Sequence, residues 1–260
     1  MNFTRIRGVF LRYFYVLLKG PYQLSDLFYW PLVDIFLWGL ASAWIGMQHP
    51  QEHLPLMMMT GLIFWGITWR GSVDISISLL QECWHRNLVN LFSTPLKISE
   101  WISGTILLCL CKFVITILFG ASMIYLLYSI NVFEVGWMFI PYAAMLLVFG
   151  WVLGFIAGSV IIYWGHSIES LAWMIGYLFA PFSAVFYPVA VLPTWAQAIS
   201  WALPSTYIFE GMRGILSHEP VPDYYLWAAL SLDLLYLVLA IWLFYFTFAK
   251  SRIKGLARLE

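Results

Sequence analysis

Charge is what this chain lacks most. Its 260 residues carry 13 Lys plus Arg and 13 Asp plus Glu, only 10% in all, against 62% hydrophobic residues. A soluble domain is about 25% charged and about 45–50% apolar, so the charges are too few to coat a water-soluble globule of this size. An ordinary soluble enzyme is excluded. A basic surplus is missing as well, because the net charge is zero, and this argues against a nucleic-acid binder. Disorder is excluded by the apolar excess, which buries far more area than a disordered segment allows. Cysteine is scarce. Cys83, Cys109 and Cys111 are odd in number, and the last two, two residues apart, point to nearly opposite sides of a helix. They read as small packing residues rather than as disulfides or a shared metal site. No secretory signal is expected, since Arg5, Arg7, Arg12 and Lys19 interrupt any apolar run at the start. A polytopic membrane protein remains.

The stretches free of Asp, Glu, Lys and Arg are 35–51, 53–69, 113–133, 135–168, 170–209 and 234–249. A membrane helix needs about 20 mostly apolar residues. With turn signals and flanking charges, these runs predict an all-α chain of six transmembrane helices, near 27–47, 55–77, 103–130, 137–163, 168–190 and 224–249. Orientation follows from Lys and Arg in the short loops. Arg5, Arg7, Arg12, Lys19, Arg86, Lys97, Lys250, Arg252, Lys254 and Arg258 gather on one side, and Arg213 alone stands on the other. Both termini are therefore expected in the cytoplasm.

Two segments are neither spans nor simple loops. Within residues 1–22, Arg5, Arg12 and Lys19 share one stripe of a helix, and Phe3, Ile6, Phe10, Tyr13, Phe14 and Leu17 share the opposite arc. This predicts an interfacial helix on the inner leaflet, with its cations near anionic headgroups. The charge-free run 170–209 is about twice one span long, and Pro181, Pro188, Pro193 and Pro204 break it, because proline removes a backbone donor and clashes with the preceding turn; the segment 192–215 is therefore set apart from the helix before it. A re-entrant pair of short helices split near Pro204 is expected. Irregular backbone at that depth must be surrounded by protein or water, so the hairpin is expected to plug the outer mouth of a pathway.

The cytoplasmic segment 80–95 holds Leu88, Leu91 and Phe92 at helical spacing, forming one apolar face. Glu82 and Arg86 form an i, i+4 pair, and Thr94-Pro95 ends the helix. Such a helix suits a groove on a partner protein, or packs under the bundle. Here the sequence meets a family. Glu82…Arg86-Asn87-Leu88…Leu91…Thr94-Pro95…Glu100…Gly104 resembles the cytoplasmic coupling segment of type-2 ABC export permeases. Phe186-Tyr187-Pro188…Leu192-Pro193-Thr194-Trp195…Pro204…Glu210-Gly211-Met212-Arg213 resembles the signature before the family's last helix. Ala184 and Val185 stand where the family often has Gly, and Leu203-Pro204 replaces its Asn-Pro.

The resemblance spans the whole chain, 1–260, as a single transmembrane domain. It implies a multi-pass permease of the plasma (bacterial inner) membrane, paired with a second permease copy as a homodimer and driven by two copies of a cytosolic ABC ATPase. Cargoes in that family are polysaccharides, lipids and drugs. No G-x-x-x-x-G-K-[ST] phosphate cradle occurs in the sequence, so no cofactor is expected on this chain; ATP and Mg belong to the ATPase, and the chain is not expected to be an enzyme. The resemblance gives Glu82, Arg86, Leu88, Leu91, Phe92, Thr94 and Pro95 a coupling role, and Tyr187, Pro188, Pro193, Trp195, Pro204, Glu210 and Arg213 an outer-gate role. A stand-alone channel or a proton-coupled secondary carrier is the other reading, for which Asp233 is the one hint.

Ionisable residues inside a bilayer cost at least about 2.5–3.5 kcal/mol and mark sites. Depth along the helices groups Asp34, Arg70, Asp74 and Lys112 near the inner leaflet, either as an ion-pair network or as a substrate gate. Asp233 falls near mid-membrane, where Ser231 or a facing Tyr is expected to satisfy it as a neutral acid. Glu210 and Arg213 share a helical face, as gate residues or as a surface pair. His49 and His53, with Glu52, have metal-compatible spacing, but the short Pro-flanked loop reads as solvated, and no metal is expected. Phe64, Trp65, Trp69, Tyr177, Phe179, Phe182, Phe186 and Tyr187 are candidates to line a pathway.

Overall fold

The computed structural model of the protein describes residues 2–48, 53–165 and 168–254. Ten α-helices make up most of them, and no strand occurs among the described residues. They are α1 (Phe3–Lys19), α2 (Pro21–Gln48), α3 (Leu54–Trp84), α4 (Leu88–Ser93), α5 (Ile98–Tyr128), α6 (Phe139–Trp164), α7 (Leu171–Phe179), α8 (Thr194–Trp201), α9 (Pro204–Leu216) and α10 (Tyr224–Lys254).

The periodic segment at the start forms α1. Asn2 caps it by accepting from the Thr4 N–H, and its face of Ile6, Val9, Tyr13 and Leu17 is buried against α5. α2 begins at Pro21, where a missing N–H costs nothing. Among the described residues, four segments are long and apolar enough to cross a membrane: Gln23–Gln48, Ile98–Tyr128, Val132–Trp164 and Tyr224–Ile253. α3 equals α5 in length, at 31 residues, but buries Arg70, Asp74, Glu82 and several Ser and Thr among its apolar residues. It can do so because it is the central helix, packed by α2, α5, α6 and α7.

The expected helix over 168–190 is corrected. α7 has 9 residues, about 14 Å at 1.5 Å per residue, and a 3₁₀ turn, Ala180–Phe182, ends it. Pro181 brings no N–H, Ala184 turns the chain with φ 54°, and residues after it run as a strap through Pro188. Then α8 and α9 meet at Leu203-Pro204.

α3 and α6 approach backbone to backbone. A Cβ on Gly150 would stand 2.5 Å from the Thr68 carbonyl oxygen, and one on Gly154 2.7 Å from that of Ser72. Glycine lets the two backbones touch where apolar bulk would separate them. Gly150→Ala must displace α6, an overpacking cost of about 1–3 kcal/mol. Its thermal midpoint in detergent is expected to fall by about 5 °C, and an unchanged midpoint would contradict this packing account.

Candidate functional site

The chain between α3 and α5 is bracketed by two carboxylates, Glu82 and Glu100, each only 1% exposed. α1 grips both. Tyr13 Oη donates to Glu82 Oε1 at 2.6 Å, Arg12 Nη2 to Oε2 at 2.9 Å, and Asn87 Nδ2 to Oε2 at 2.7 Å. Trp101 Nε1 in turn donates to Tyr13 Oη at 2.9 Å. Burial, with the Glu82 charge beside it, pushes the Tyr13 phenol well up, so it stays protonated and remains a donor. At the other end of the loop, the Asn2 N–H donates to Glu100 Oε1 at 2.7 Å and the Lys97 N–H to Oε2 at 3.0 Å. Arg5 Nη1 reaches the Pro95 carbonyl at 2.6 Å and Glu100 Oε2 at 3.5 Å. A buried carboxylate held by three donors is rigid, and one stripped of partners is costly. So α1 sets the position of both ends of the loop.

This geometry corrects three expectations. Glu82 does not pair with Arg86: α3 ends at Trp84, Arg86 turns out with φ 49°, and Glu82 takes Arg12 instead. Leu88, Leu91 and Phe92 do not form an outward face. Leu88 is 1% exposed, Leu91 is half-buried in the same core, and Phe92 packs on Phe248 at 4.8 Å between ring centres. An amphipathic helix buries its apolar stripe wherever a core is within reach, and α10 supplies one. The outward side is Arg86, Val89, Asn90 and Ser93. Arg5 and Arg12, expected beside headgroups, each pair with a protein carboxylate. Thr94 Oγ1 donates to the Leu91 carbonyl at 2.6 Å, and Pro95 is exposed beside it. The sequence placed Arg12 and Tyr13 on the faces of α1 and Asn87 in the coupling segment, but it gave none of them, nor Trp101, as a partner in a cluster around Glu82. The stripe spacing of Arg5 and Arg12 was the one signal available.

In the bundle, charges alternate across three helices. Asp26 on α2 accepts from Arg70 on α3 at Oδ2 and at its carbonyl, the latter at 2.7 Å. Arg70 lies 3.7 Å from Asp74, which binds Lys112 Nζ of α5 at 2.8 Å. Asp34 is not a member of this network and is exposed on α2. The Arg70 side chain stretches toward the end of the bundle that holds α4, so it meets Asp26, which lies nearer that end of α2.

At the opposite end, Glu210 and Arg213 pair at 3.0 Å and latch the strap. Glu210 Oε1 accepts from the Val189 N–H at 2.6 Å, and Arg213 Nη1 donates to the Ala184 carbonyl at 2.7 Å. Tyr187 Oη donates to the Pro181 carbonyl at 2.6 Å. Pro188, Pro193 and Trp195 are exposed, and Pro204 is buried. The Asp233 expectation is corrected in part: it is buried, but neither oxygen has a partner among the described residues. Ser231 donates to Trp227, and Tyr236 to Ala202. Phe64 and Trp65 are buried in the core, whereas Trp69 is half-buried and Tyr177 exposed, with ring centres 4.3 Å apart. His49 and Glu52 lie outside the described residues; His53 faces His218 across 6.2 Å.

A family model described as ABC-2 type transporter matches residues 18–217. No curated protein matches the chain.

Proposed function

We propose that this chain, which belongs to the ABC-2 type transporter family, is the permease half of an ATP-driven exporter, worked through the loop that α1 clamps. The observation that carries this reading is the bracket itself. Glu82 and Glu100 tie α4 rigidly to α1, α3 and α5, while Phe92 ties it to α10. A push on the exposed side of α4 therefore moves three bundle helices together rather than bending a loop.

In this reading α2, α3, α5, α6 and α10 span the membrane, and α7 with its strap makes the sixth crossing. Both termini and α4 lie in the cytoplasm, since Arg5, Arg7, Arg12, Lys19, Arg86, Lys97, Lys250 and Arg252 gather at that end. The pair α8–α9 re-enters the outer leaflet, held by the Glu210–Arg213 latch. Two permease copies form the path across the bacterial inner membrane. Two ATPase subunits, which hold ATP and Mg, dock on the α4 ends and bias the pair between inward and outward openings, a difference of a few kcal/mol. The cargo is a lipid-linked polysaccharide, a lipid or an amphipathic drug.

The outward side of α4 supplies the test. Val89→Glu with Asn90→Glu introduces two like charges there while sparing the buried Leu88. The double variant is expected to fold, to lose co-purification with a partner ABC ATPase, and to reduce export at least about tenfold. Full ATPase association in the double variant, or full-rate transport by the permease alone in liposomes, overturns the reading.

A further inference from the structure

We propose that Asp34, with the rings of Trp69 and Tyr177, forms a binding site for an amphipathic cation inside the transport groove. The proposal rests on the permease reading above and names a cargo class for it.

α2 and α7 each pack against α3 and make at most marginal contact with one another. Between Met59 and Leu80, α3 is buried except at Leu62, Gly66, Trp69 and Ile77, which are partly open in the gap between α2 and α7. Their spacing places them on one face of α3. At Gly66 an added Cβ would meet nothing within 4 Å. The floor of this groove is therefore open beside Trp69. The Trp69 ring lies against the α7 backbone, 2.6 Å from where a Cβ on Gly176 would stand, and Tyr177 flanks it with its ring tilted by 50°.

Asp34 faces the same space. α2 and α3 run antiparallel, with Gly46 against Pro55 near one end and Asp26 on Arg70 near the other. That register puts Asp34 opposite the Gly66–Trp69 turn, on the same side of α2 as Trp38 one turn along. One turn further along α2, Trp38 stacks on Phe186 at 4.5 Å and closes the groove on that side.

The charge needs a counterpart that the chain does not provide. Arg70 and Lys112 are committed to Asp26 and Asp74, and Asp34 has no ion-pair partner among the described residues. A carboxylate bare to lipid at this depth costs at least about 2.5–3.5 kcal/mol. A ligand cation answers it, and two aromatic faces add attraction for a positive group with an apolar body. An anionic cargo is repelled by the same charge.

Tetraphenylphosphonium and tetraphenylborate, ions of matched size and opposite charge, separate charge recognition from apolar partition. Equilibrium dialysis of each against the full-length purified permease in detergent reads binding without the ATPase. The wild type is expected to bind the phosphonium at least about tenfold tighter than the borate. Asp34→Asn is expected to lose about tenfold of the phosphonium affinity, Asp34→Glu to stay within about threefold, and Trp69→Leu and Tyr177→Leu to lose about threefold each. Should Asp34→Asn fail to fold, the two leucine variants carry the test. Equal binding of the two ions, unchanged phosphonium affinity in Asp34→Asn, or unchanged affinity in both leucine variants overturns the site. ATPase association, measured on the same preparations, decides the permease reading separately: its absence beside intact phosphonium binding sinks that reading and leaves the site standing.

Discussion

Asp74→Leu is expected to lower the thermal midpoint of the detergent-purified protein by about 10 °C, and Lys112→Leu added to it is expected to return most of that loss. Asp74 is 3% exposed and stands between two cations, Lys112 at 2.8 Å and Arg70 at 3.7 Å. Removing the carboxylate leaves the Lys112 ammonium buried and unpaired, a penalty of about 3–5 kcal/mol. For a chain of this length each kcal/mol moves the midpoint by about 2–4 °C. Arg70 keeps Asp26 and so is not orphaned. Replacing both members of a buried pair with apolar side chains is often close to neutral, so the double variant should lie within a few degrees of the wild type. Size-exclusion recovery after graded heating reads both. If the single variant matches the wild type, or the double is as weak as the single, Asp74 and Lys112 do not stabilise one another. The same experiment with Asp34 in place of Asp74 is expected to show no coupling to Lys112.

The second large effect is expected at the clamp. Glu82→Gln should cut export by about 30-fold or more while the ATPase still co-purifies. The carboxylate accepts from Arg12, Tyr13 and Asn87 at once. A glutamine offers one oxygen and brings an NH₂ of its own, so at least one donor in this buried site loses its acceptor, at a cost of about 2–3 kcal/mol. Each 1.4 kcal/mol is a tenfold shift in the population of the held loop. The outward side of α4 is untouched, so docking persists and only transmission fails. That pattern, ATP hydrolysis without cargo movement, distinguishes Glu82→Gln from the Val89/Asn90 variant, which loses docking itself. Cargo-stimulated ATP hydrolysis and vesicle export measure the two halves. Export within about twofold of wild type would remove α1 from the transmission path.

Much of the architecture was legible because it depends on local pattern. The seven-residue recurrence of Arg5, Arg12 and Lys19 against an apolar arc is a property of α1 alone, and α1 forms as read. Pro204 divides α8 from α9 for a reason contained in the proline ring. Six apolar runs, and the segments around Leu88 and Pro193, were enough to place the chain among type-2 ABC permeases. Less was legible where partners lie far apart in the chain. Depth arithmetic resolves the height of a charge but not its azimuth, so Asp34 and Asp26 were indistinguishable as partners for Arg70. The apolar stripe of α4 announced a buried face without saying what buries it; α10, more than 150 residues later, does. α7 fell short because its end is set by Pro181 and by the latch from Arg213 to Ala184, and only the first of these is local.

The sequence by itself determined that the chain is helical, apolar throughout and rich in cations at one end, because composition and periodicity act residue by residue through transfer free energy and backbone sterics. The tertiary structure alone decided which charges neutralise one another, which side of α4 is exposed, and that Asp34 stands outside the ion-pair network. Those outcomes depend on the rotation and register of helices packed against each other, and a side chain's partner changes completely with a turn of about 100° that its own sequence neighbours do not specify.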